Sequence, residues 1–135
     1  MPPVVNATKL TPNLIVSSVE KSLAFYEGVL GFARAMTVPE QSPFVFASVT
    51  SGPIEIFFND RSTVAKESPQ FAGKALGGGN TMFIEVTDVD GYHEGVKDRV
   101  KMLLPIVTQW YGMREFAIED PDGYVITFAQ RVASS

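Results

Sequence analysis

The sequence predicts an α+β protein built from two copies of a βαβββ module. The first observation is a strand-like run that leads directly into an amphipathic helix, within residues 10–32. The second is that the same succession returns about 70 residues later, within residues 80–100. The third is that each predicted helix is followed by three runs rich in β-branched and aromatic residues, as strands are. A repeat of this kind indicates duplicated supersecondary units.

The two copies match position by position at an offset of 70. The matching pairs are Thr11 and Thr81, Val16 and Val86, Val19 and Val89, and Leu30 and Val100. In the first copy, apolar residues recur at the helical period and form one stripe, at Val19, Leu23, Tyr26 and Leu30. This stripe needs a sheet or another helix to cover it. Ser17 and Glu20 have the spacing of a capping box at the helix start, and Gly31 is suited to the left-handed stop at its end.

The remaining elements follow from apolar runs and the turn residues that bound them. In the first module we predict strands over residues 10–16, 32–38, 44–50 and 54–58. In the second module the predicted strands cover 81–86, 102–109, 113–119 and 124–129. The second of these is interrupted by Pro105, and the last one follows a type I turn at Asp120-Pro121-Asp122-Gly123.

We therefore expect a single domain over residues 1–135. Module 1 covers about 9–60, a linker covers 61–79, and module 2 covers about 80–131. The linker contains Pro69 and the triplet Gly77-Gly78-Gly79 and has room for one short helical turn. A connection this long is either a surface loop or a lid over a binding site.

Composition excludes several classes of function. The chain has 11 basic and 15 acidic residues, a net charge of −4, and no basic stripe, so we predict that nucleic acid is not a partner. The absence of cysteine excludes disulfides, thiolate metal sites and thiol nucleophiles. No apolar run approaches the roughly 20 residues of a membrane helix, and the N-terminus lacks the plan of a signal peptide. We predict a cytoplasmic protein with no membrane partner.

The sequence offers little for a metal or a nucleotide. The one histidine, His93, lies in a predicted helix next to Glu94, and adjacent helical residues do not face each other. The Gly77-Gly78-Gly79 triplet lacks the Lys-Ser/Thr of a phosphate-binding loop. We predict no metal and no cofactor.

Polar residues inside apolar strands are the candidates for a ligand site. Asn13, Ser48, Glu55 and Thr127 are of this kind. Glu55 lies between two isoleucines on a predicted strand, so its side chain points to the opposite face from both. Two interpretations stay open: a solvent-facing glutamate on a half-exposed strand, or a carboxylate that lines a concavity.

A second candidate is the segment Trp110-Tyr111-Gly112-Met113-Arg114. An aromatic pair beside a glycine and an arginine is suited to the wall of a ligand pocket with one cationic group. The alternative is ordinary core aromatics with a surface arginine.

Two motifs in the order seen here resemble the vicinal oxygen chelate superfamily. They are V-S-x-V-E-x-S-L-x-F-Y-x-x-V-L-G-F, from Val16 to Phe32, and D-P-D-G-Y, from Asp120 to Tyr124. This group includes glyoxalase I, extradiol dioxygenases and the bleomycin resistance proteins, and the resemblance covers about residues 10–131. It implies that each module curls a mixed sheet around a cleft, with the helices on the outside.

The resemblance also implies where a metal would be held. In the enzymes of this group four positions bind it, and they correspond here to Thr11, Glu55, Thr81 and Thr127. Only Glu55 is a strong ligand, because threonine hydroxyls are weak neutral donors. The chain therefore resembles the metal-free branch, in which the bleomycin resistance proteins sequester a drug, commonly as dimers.

We predict a metal-independent protein that binds a small molecule, for drug or metabolite sequestration, as a homodimer. The expected aromatic walls are Phe46, Phe57, Trp110, Tyr111 and Phe116, and the polar groups are Asn13, Ser48, Glu55, Arg114 and Thr127. The N-terminal residues 2–5 are placed to reach a partner subunit. The alternatives are a lyase, isomerase or dioxygenase-type enzyme that uses Glu55 as general base or metal ligand, or an assembly module without a ligand.

Overall fold

The computed structural model describes residues 2–132, which form two four-stranded mixed sheets and three helices. The first sheet consists of β1 (Asn13–Val16), β2 (Ala33–Val38), β3 (Phe46–Ser51) and β4 (Ile54–Asp60), in the order β1-β4-β3-β2. β1 runs parallel to β4, and the other pairs are antiparallel. Helix α1 (Val19–Gly28) connects β1 to β2.

Residues 61–79 connect the two sheets. They contain helix α2 (Arg61–Glu67) and a 3₁₀ turn over Pro69–Phe71, where the sequence indicated a linker. Asp60 caps α2, because its carboxylate accepts a hydrogen bond from the amide of Thr63. None of the residues of α2 is buried.

The second sheet repeats the first. It consists of β5 (Thr81–Glu85), β6 (Lys101–Thr108), β7 (Met113–Glu119) and β8 (Val125–Arg131), in the order β5-β8-β7-β6, with helix α3 (Val89–Val96) between β5 and β6. Asn13 lies opposite Phe57, and Phe83 lies opposite Thr127, so both partners are shifted by 70 (83 − 13 and 127 − 57). The predicted α+β fold of two βαβββ modules is confirmed.

The core lies between the sheets and their helices. The predicted stripe of α1 is buried, with relative exposures of 0% for Val19 and Tyr26, 1% for Leu23 and 3% for Leu30. Alternate residues of the strands face it, such as Ile56 and Phe58 on β4. Burial of one such side chain contributes roughly 1.5–3 kcal/mol relative to its exposed state, so this stripe holds α1 on the sheet.

The start of α1 differs from the prediction. Ser18, not Ser17, is the N-cap, and its hydroxyl accepts a hydrogen bond from the amide of Lys21. Glu20 instead accepts from the hydroxyl of Ser42 at 2.5 Å and from the amide of Phe44 at 2.8 Å. The capping-box prediction was wrong because the carboxylate of Glu20 accepts hydrogen bonds from a loop that is distant in the sequence, and the local pattern does not reveal such contacts.

A turn of module 2 fastens the two modules together. The buried Tyr26 hydroxyl donates to Oδ2 of Asp120 at 2.8 Å, and the amide of Ser17 donates to Oδ2 of Asp122 at 3.2 Å. The hydroxyl of Tyr124 donates to the carbonyl of Ile15 at 2.7 Å. Burial raises the pKa of Tyr26 well above its ordinary value and also raises the pKa of Asp120.

No helix within residues 2–132 is long and apolar enough to cross a membrane.

Candidate functional site

A groove of about 440 Å³ lies where the two modules meet. Its lining comes from the segment before β1, the start of β4 and the strand β5. Glu55, Thr81 and Phe83 line it together, although they are far apart in the sequence. The groove therefore brings together side chains that only the pairing of two modules can place side by side.

Glu55 is the acidic group of this groove. It lies on β4 opposite Thr50, and its neighbour Ile56 points into the core with 1% exposure. The ammonium of Lys9 forms a salt bridge with its carboxylate. The side chain of Glu55 is 21% exposed and that of Lys9 is 54% exposed, so the pair lies at the groove surface. Glu55 is thus one of the residues that line the surface of this groove.

The four positions that correspond to metal ligands in the superfamily's enzymes supply one carboxylate and three hydroxyls here. Thr81 begins β5 in the groove, while Thr11 is half-buried just before β1. Thr127 lies on β8 opposite Phe83 and Ala117. Within residues 2–132 no three His, Asp or Glu side chains are close enough to share a metal ion. One carboxylate already paired with an ammonium, with three hydroxyls, does not fit a divalent transition metal.

Glu55 and Thr127 do not occupy equivalent positions in the two modules. In the first sheet Asn13 pairs with Phe57, and in the second Phe83 pairs with Thr127, so the equivalent of Thr127 is Phe57. The equivalent of Glu55 at the same offset is Val125, an apolar residue that pairs with Thr81. At this position, therefore, module 1 has an acidic residue and module 2 has an apolar one.

Five of the sequence-predicted residues share the face of the first sheet that is turned away from α1: Asn13, Phe46, Ser48, Glu55 and Phe57. The rings of Phe46 and Phe57 meet edge to face, with centroids 5.1 Å apart. Ser48, with 2% exposure, lies opposite Phe57 on β3, and Asn13 lies opposite Phe57 on β1. The amide of Asn59 donates a hydrogen bond to the side chain of Asn13. The result is an aromatic pair flanked by small polar groups.

Two other predicted residues face the opposite way. Arg114 donates hydrogen bonds to Asp90 on α3 at 2.8 Å and to Thr108 at 3.1 Å. Phe116 has 0% exposure and packs in the core beside Phe128, with ring centroids 5.4 Å apart. Both residues lie on the helix-covered face of β7, because alternate residues of a strand share a face.

Trp110 and Tyr111 form the tip of the β6–β7 hairpin. Their rings meet edge to face with centroids 5.4 Å apart, and Trp110 is 94% exposed. Gly112 follows with a φ of +87°, a left-handed conformation that favours glycine and lets the chain turn into β7. The aromatic pair is therefore presented to the outside rather than packed in the core.

Sequence analysis missed two groups of functional interest, Lys9 and Glu115. Glu115 is 5% exposed on β7 and accepts hydrogen bonds from the Tyr111 hydroxyl at 2.5 Å and from Gln109 at 3.4 Å. Its Oε2 has no hydrogen-bond partner within the described residues. The hydrogen bond to Glu115 raises the pKa of Tyr111. A glutamate inside an apolar strand was the available signal, the same one that singled out Glu55, whereas nothing in the sequence distinguished Lys9.

Comparison with known proteins agrees with this architecture. A family model described as the glyoxalase/bleomycin resistance protein/dioxygenase superfamily matches residues 7–128. The bleomycin resistance protein of Geobacillus stearothermophilus is 29% identical over 133 residues, which covers 91% of this chain and 96% of that protein. The bleomycin resistance protein of Staphylococcus aureus has the same identity and coverage.

Solved structures share the fold at lower sequence identity. A glyoxalase/bleomycin resistance protein/dioxygenase from Nocardioides superposes with a TM-score of 0.80 at 16% identity, covering 98% of this chain and 89% of that one. A bleomycin-binding protein from Streptomyces verticillus, complexed with copper(II)-bleomycin, gives a TM-score of 0.63 at 24% identity, covering 98% and 100%. At these identities the likeness shows the fold alone. The family model spans most of the chain, and the protein therefore belongs to the glyoxalase/bleomycin resistance protein/dioxygenase superfamily.

Proposed function

We propose that this protein binds a small molecule without a metal and sequesters a drug or a metabolite in the cytoplasm. The observation that carries the proposal is the groove between the modules, in which the one carboxylate is paired with Lys9 and Thr81 supplies only a hydroxyl. Such a groove can hold and orient an organic ligand by shape and polarity. It lacks the ligand set with which the superfamily's enzymes hold a metal.

The relatives support binding as the activity. Two of them are bleomycin resistance proteins that match over nearly their whole length, and one solved neighbour is a bleomycin-binding protein. Bleomycin-like cationic glycopeptides are thus the first ligands to test. Neither nucleic acid nor a membrane is proposed as a partner.

The exposed Trp110 and Tyr111 and the partly exposed Phe46 and Phe57 support an aromatic or amphipathic ligand. We assign aromatic walls beside the groove to Phe46 and Phe57, which share a face of the first sheet with Glu55, and to Trp110 and Tyr111 at the hairpin tip; the groove lining itself contains none of these four. The orienting polar groups are Asn13, Glu55 and Thr127, and Ser48 is left out because only 2% of it is exposed. Phe116 is left out because it is fully buried in the core, and Arg114 because its guanidinium is engaged by Asp90. Aromatic faces bind planar ligands with little loss of side-chain freedom, which favours tight binding.

A homodimer forms part of the proposal. Apolar side chains are exposed on both outer strands, with 57% for Met36 and 45% for Val38 on β2, and 45% for Leu103 and 39% for Val107 on β6. Val4 and Val5 at the N-terminus are 85% and 83% exposed. A second copy is the partner that would bury these surfaces. Sedimentation analysis should give a dimer at micromolar concentration, and a monomer across that range would contradict this part.

Titration of the single tryptophan tests the proposed binding. Bleomycin and metal-free aromatic amines are added while Trp110 fluorescence is recorded, with calorimetry as a second readout. We expect a saturable response that a chelator leaves unchanged. The Trp110→Phe variant controls for ligand absorbance, since it removes the signal. A flat response and no heat for any of these ligands would contradict the proposal.

The second candidate is an enzyme of the lyase, isomerase or dioxygenase type. The observation in its favour is that Glu55 is only 21% exposed in a largely apolar groove, a position suited to a general base. Metal analysis of the purified protein and the Glu55→Gln variant test it. A stoichiometric transition metal, or turnover that the variant loses, would place this candidate first.

A further inference from the structure

The ion pair in the groove joins a fixed group to a loosely held one. Glu55 lies on β4, an inner strand that pairs with β1 on one side and with β3 on the other. Lys9 lies in residues 2–12, which contain neither helix nor strand, and residues 2–10 are exposed throughout. The carboxylate is therefore held in place by the sheet, whereas the ammonium is free to leave with its segment.

The rest of the groove is mostly apolar. Leu10 is 93% exposed, Phe83 54% and Ile54 38%, and all three line it. Among the described lining residues only Lys9 and Glu55 carry a charge. A ligand that enters this groove meets apolar walls, one immobile negative group and one mobile positive group.

We propose that Lys9 is a tethered counter-ion, which pairs with Glu55 in the empty groove and is displaced by the cationic group of an aromatic ligand. This rests on the proposed function, namely that the groove binds a small molecule. It assigns the ligand class, an aromatic or amphipathic cation, and it makes Lys9 a competitor that sets the affinity.

The strength of the ion pair suits such an exchange. A solvent-exposed pair shifts an equilibrium by roughly fivefold or less, so its loss opposes binding only weakly. The incoming cation meets a carboxylate that the sheet has already positioned, which lowers the cost of ordering the site. The ion pair between Lys9 and Glu55 is partly exposed to water. The ion pair between the ligand and Glu55 would be shielded from water by the aromatic ring of the ligand, which strengthens the attraction between the charges.

Three probes of the same shape and different charge test the proposal. They are 2-phenylethylammonium, 2-phenylethanol and phenylacetate, titrated by NMR chemical shift into the full-length protein, Lys9→Met, Glu55→Gln and the double variant. Lys101→Met is the matched control, because Lys101 pairs with Glu119 on the second sheet, away from the groove.

We expect the wild type to prefer the ammonium over the alcohol. Lys9→Met should tighten ammonium binding by about two- to fivefold without changing alcohol binding, because only the competing charge is removed. Glu55→Gln should abolish the preference, and Lys9→Met should then have no further effect in the double variant. Residues 2–9 should gain mobility when the ammonium binds, and Lys101→Met should behave as wild type.

Two results would overturn the inference alone. One is tighter binding of phenylacetate that is lost in Lys9→Met, which would make Lys9 the recognition group for an anion. The other is equal affinity for all three probes, which would leave small-molecule binding intact without a role for the charge. Failure of every probe to bind any variant would overturn both this inference and the proposed function.

Discussion

Tyr26 is the residue whose role changes most between sequence and structure. In the sequence it is one apolar position of a helix stripe, and in the structure its hydroxyl holds a carboxylate of the other module. Asp120 is 5% exposed and also accepts hydrogen bonds from the amides of Asp122 and Tyr124, both at 2.9 Å. A buried carboxylate of this kind is tolerated because each of its oxygens has a partner.

The variant Tyr26→Phe should lower the free energy of unfolding by about 1–3 kcal/mol, because it leaves Oδ2 of the buried Asp120 without that donor. Tyr124→Phe is the matched control. Its hydroxyl donates to a neutral backbone carbonyl and is only partly buried, so we expect a smaller loss. Urea denaturation of both variants measures the difference, and equal losses would contradict the role given to Asp120.

The sequence predicted site residues whose direction follows from strand alternation. It missed residues whose place in the site comes from a contact with a residue distant in the sequence. Glu55 could be found because two flanking isoleucines fix its direction. Lys9 could not, since its contact spans 46 positions. Arg114 and Phe116 were placed in the site because an aromatic segment was taken as one wall, although alternation along β7 turns them towards α3.

At the scale of elements, Glu20 connects helix α1 to the loop before β3. Its carboxylate accepts from the hydroxyl of Ser42 and the amide of Phe44, and these hydrogen bonds lower its pKa. A lowered pKa in the folded state means that the carboxylate contributes stability above the unfolded-state pKa, about 4.3 for glutamate. That contribution is lost as the pH falls through the folded-state value.

In the variant Glu20→Gln, the stability of the protein should therefore fall less steeply as the pH is lowered. We expect wild type and variant to differ in stability at pH 7 and to converge as the pH falls through the lowered folded-state pKa of Glu20, below which the wild-type side chain is neutral as well. Glu27→Gln, on the same helix, is the control, since Glu27 pairs with Arg34 at the surface. Thermal unfolding across pH 3–7 measures this, and a constant difference between the two proteins would contradict it.

The elements themselves were largely predictable. Strands bounded by turn residues were found because turn chemistry is local, as at Ser51-Gly52-Pro53 and at the Asp120–Gly123 turn. Helix α2 was anticipated only as one short helical turn in the linker, because it is short, has no buried residue and begins at the cap provided by Asp60. Strand β6 runs through Pro105 with shifts of register on β7, where the sequence indicated an interruption.

At the scale of the whole molecule, the linker between the modules packs against the turn at which the two modules meet. A Cβ on Gly77 would lie 2.4 Å from the carbonyl carbon of Gly123, and Gly77 has a φ of +78°. The linker therefore packs directly on the turn that also binds Tyr26 and Ser17. The duplication predicted this pairing of modules only in outline, because a repeat does not say which residues meet between its copies.

Gly77→Ala should destabilise the protein by more than 1 kcal/mol, roughly the cost of a side chain at positive φ, with the clash against the turn added. Gly78→Ala is the matched control, since a Cβ there has no atom within 4 Å and its φ is not in the left-handed region. Chemical denaturation of the two variants measures the contrast. Equal stability would show that the linker does not pack on this turn.

The link between Tyr26 and Asp120 has no counterpart at the equivalent positions of the repeat. At the offset of 70, Val96 stands where Tyr26 stands in the first half, and the Ser51-Gly52-Pro53 turn offers no acid. An assembly made from two identical halves of either kind would therefore lack one member of this link. The two halves have become complementary, so a gene fusion that doubles either half should be less stable than the natural pair, whereas one that only exchanges their order keeps both members of the link.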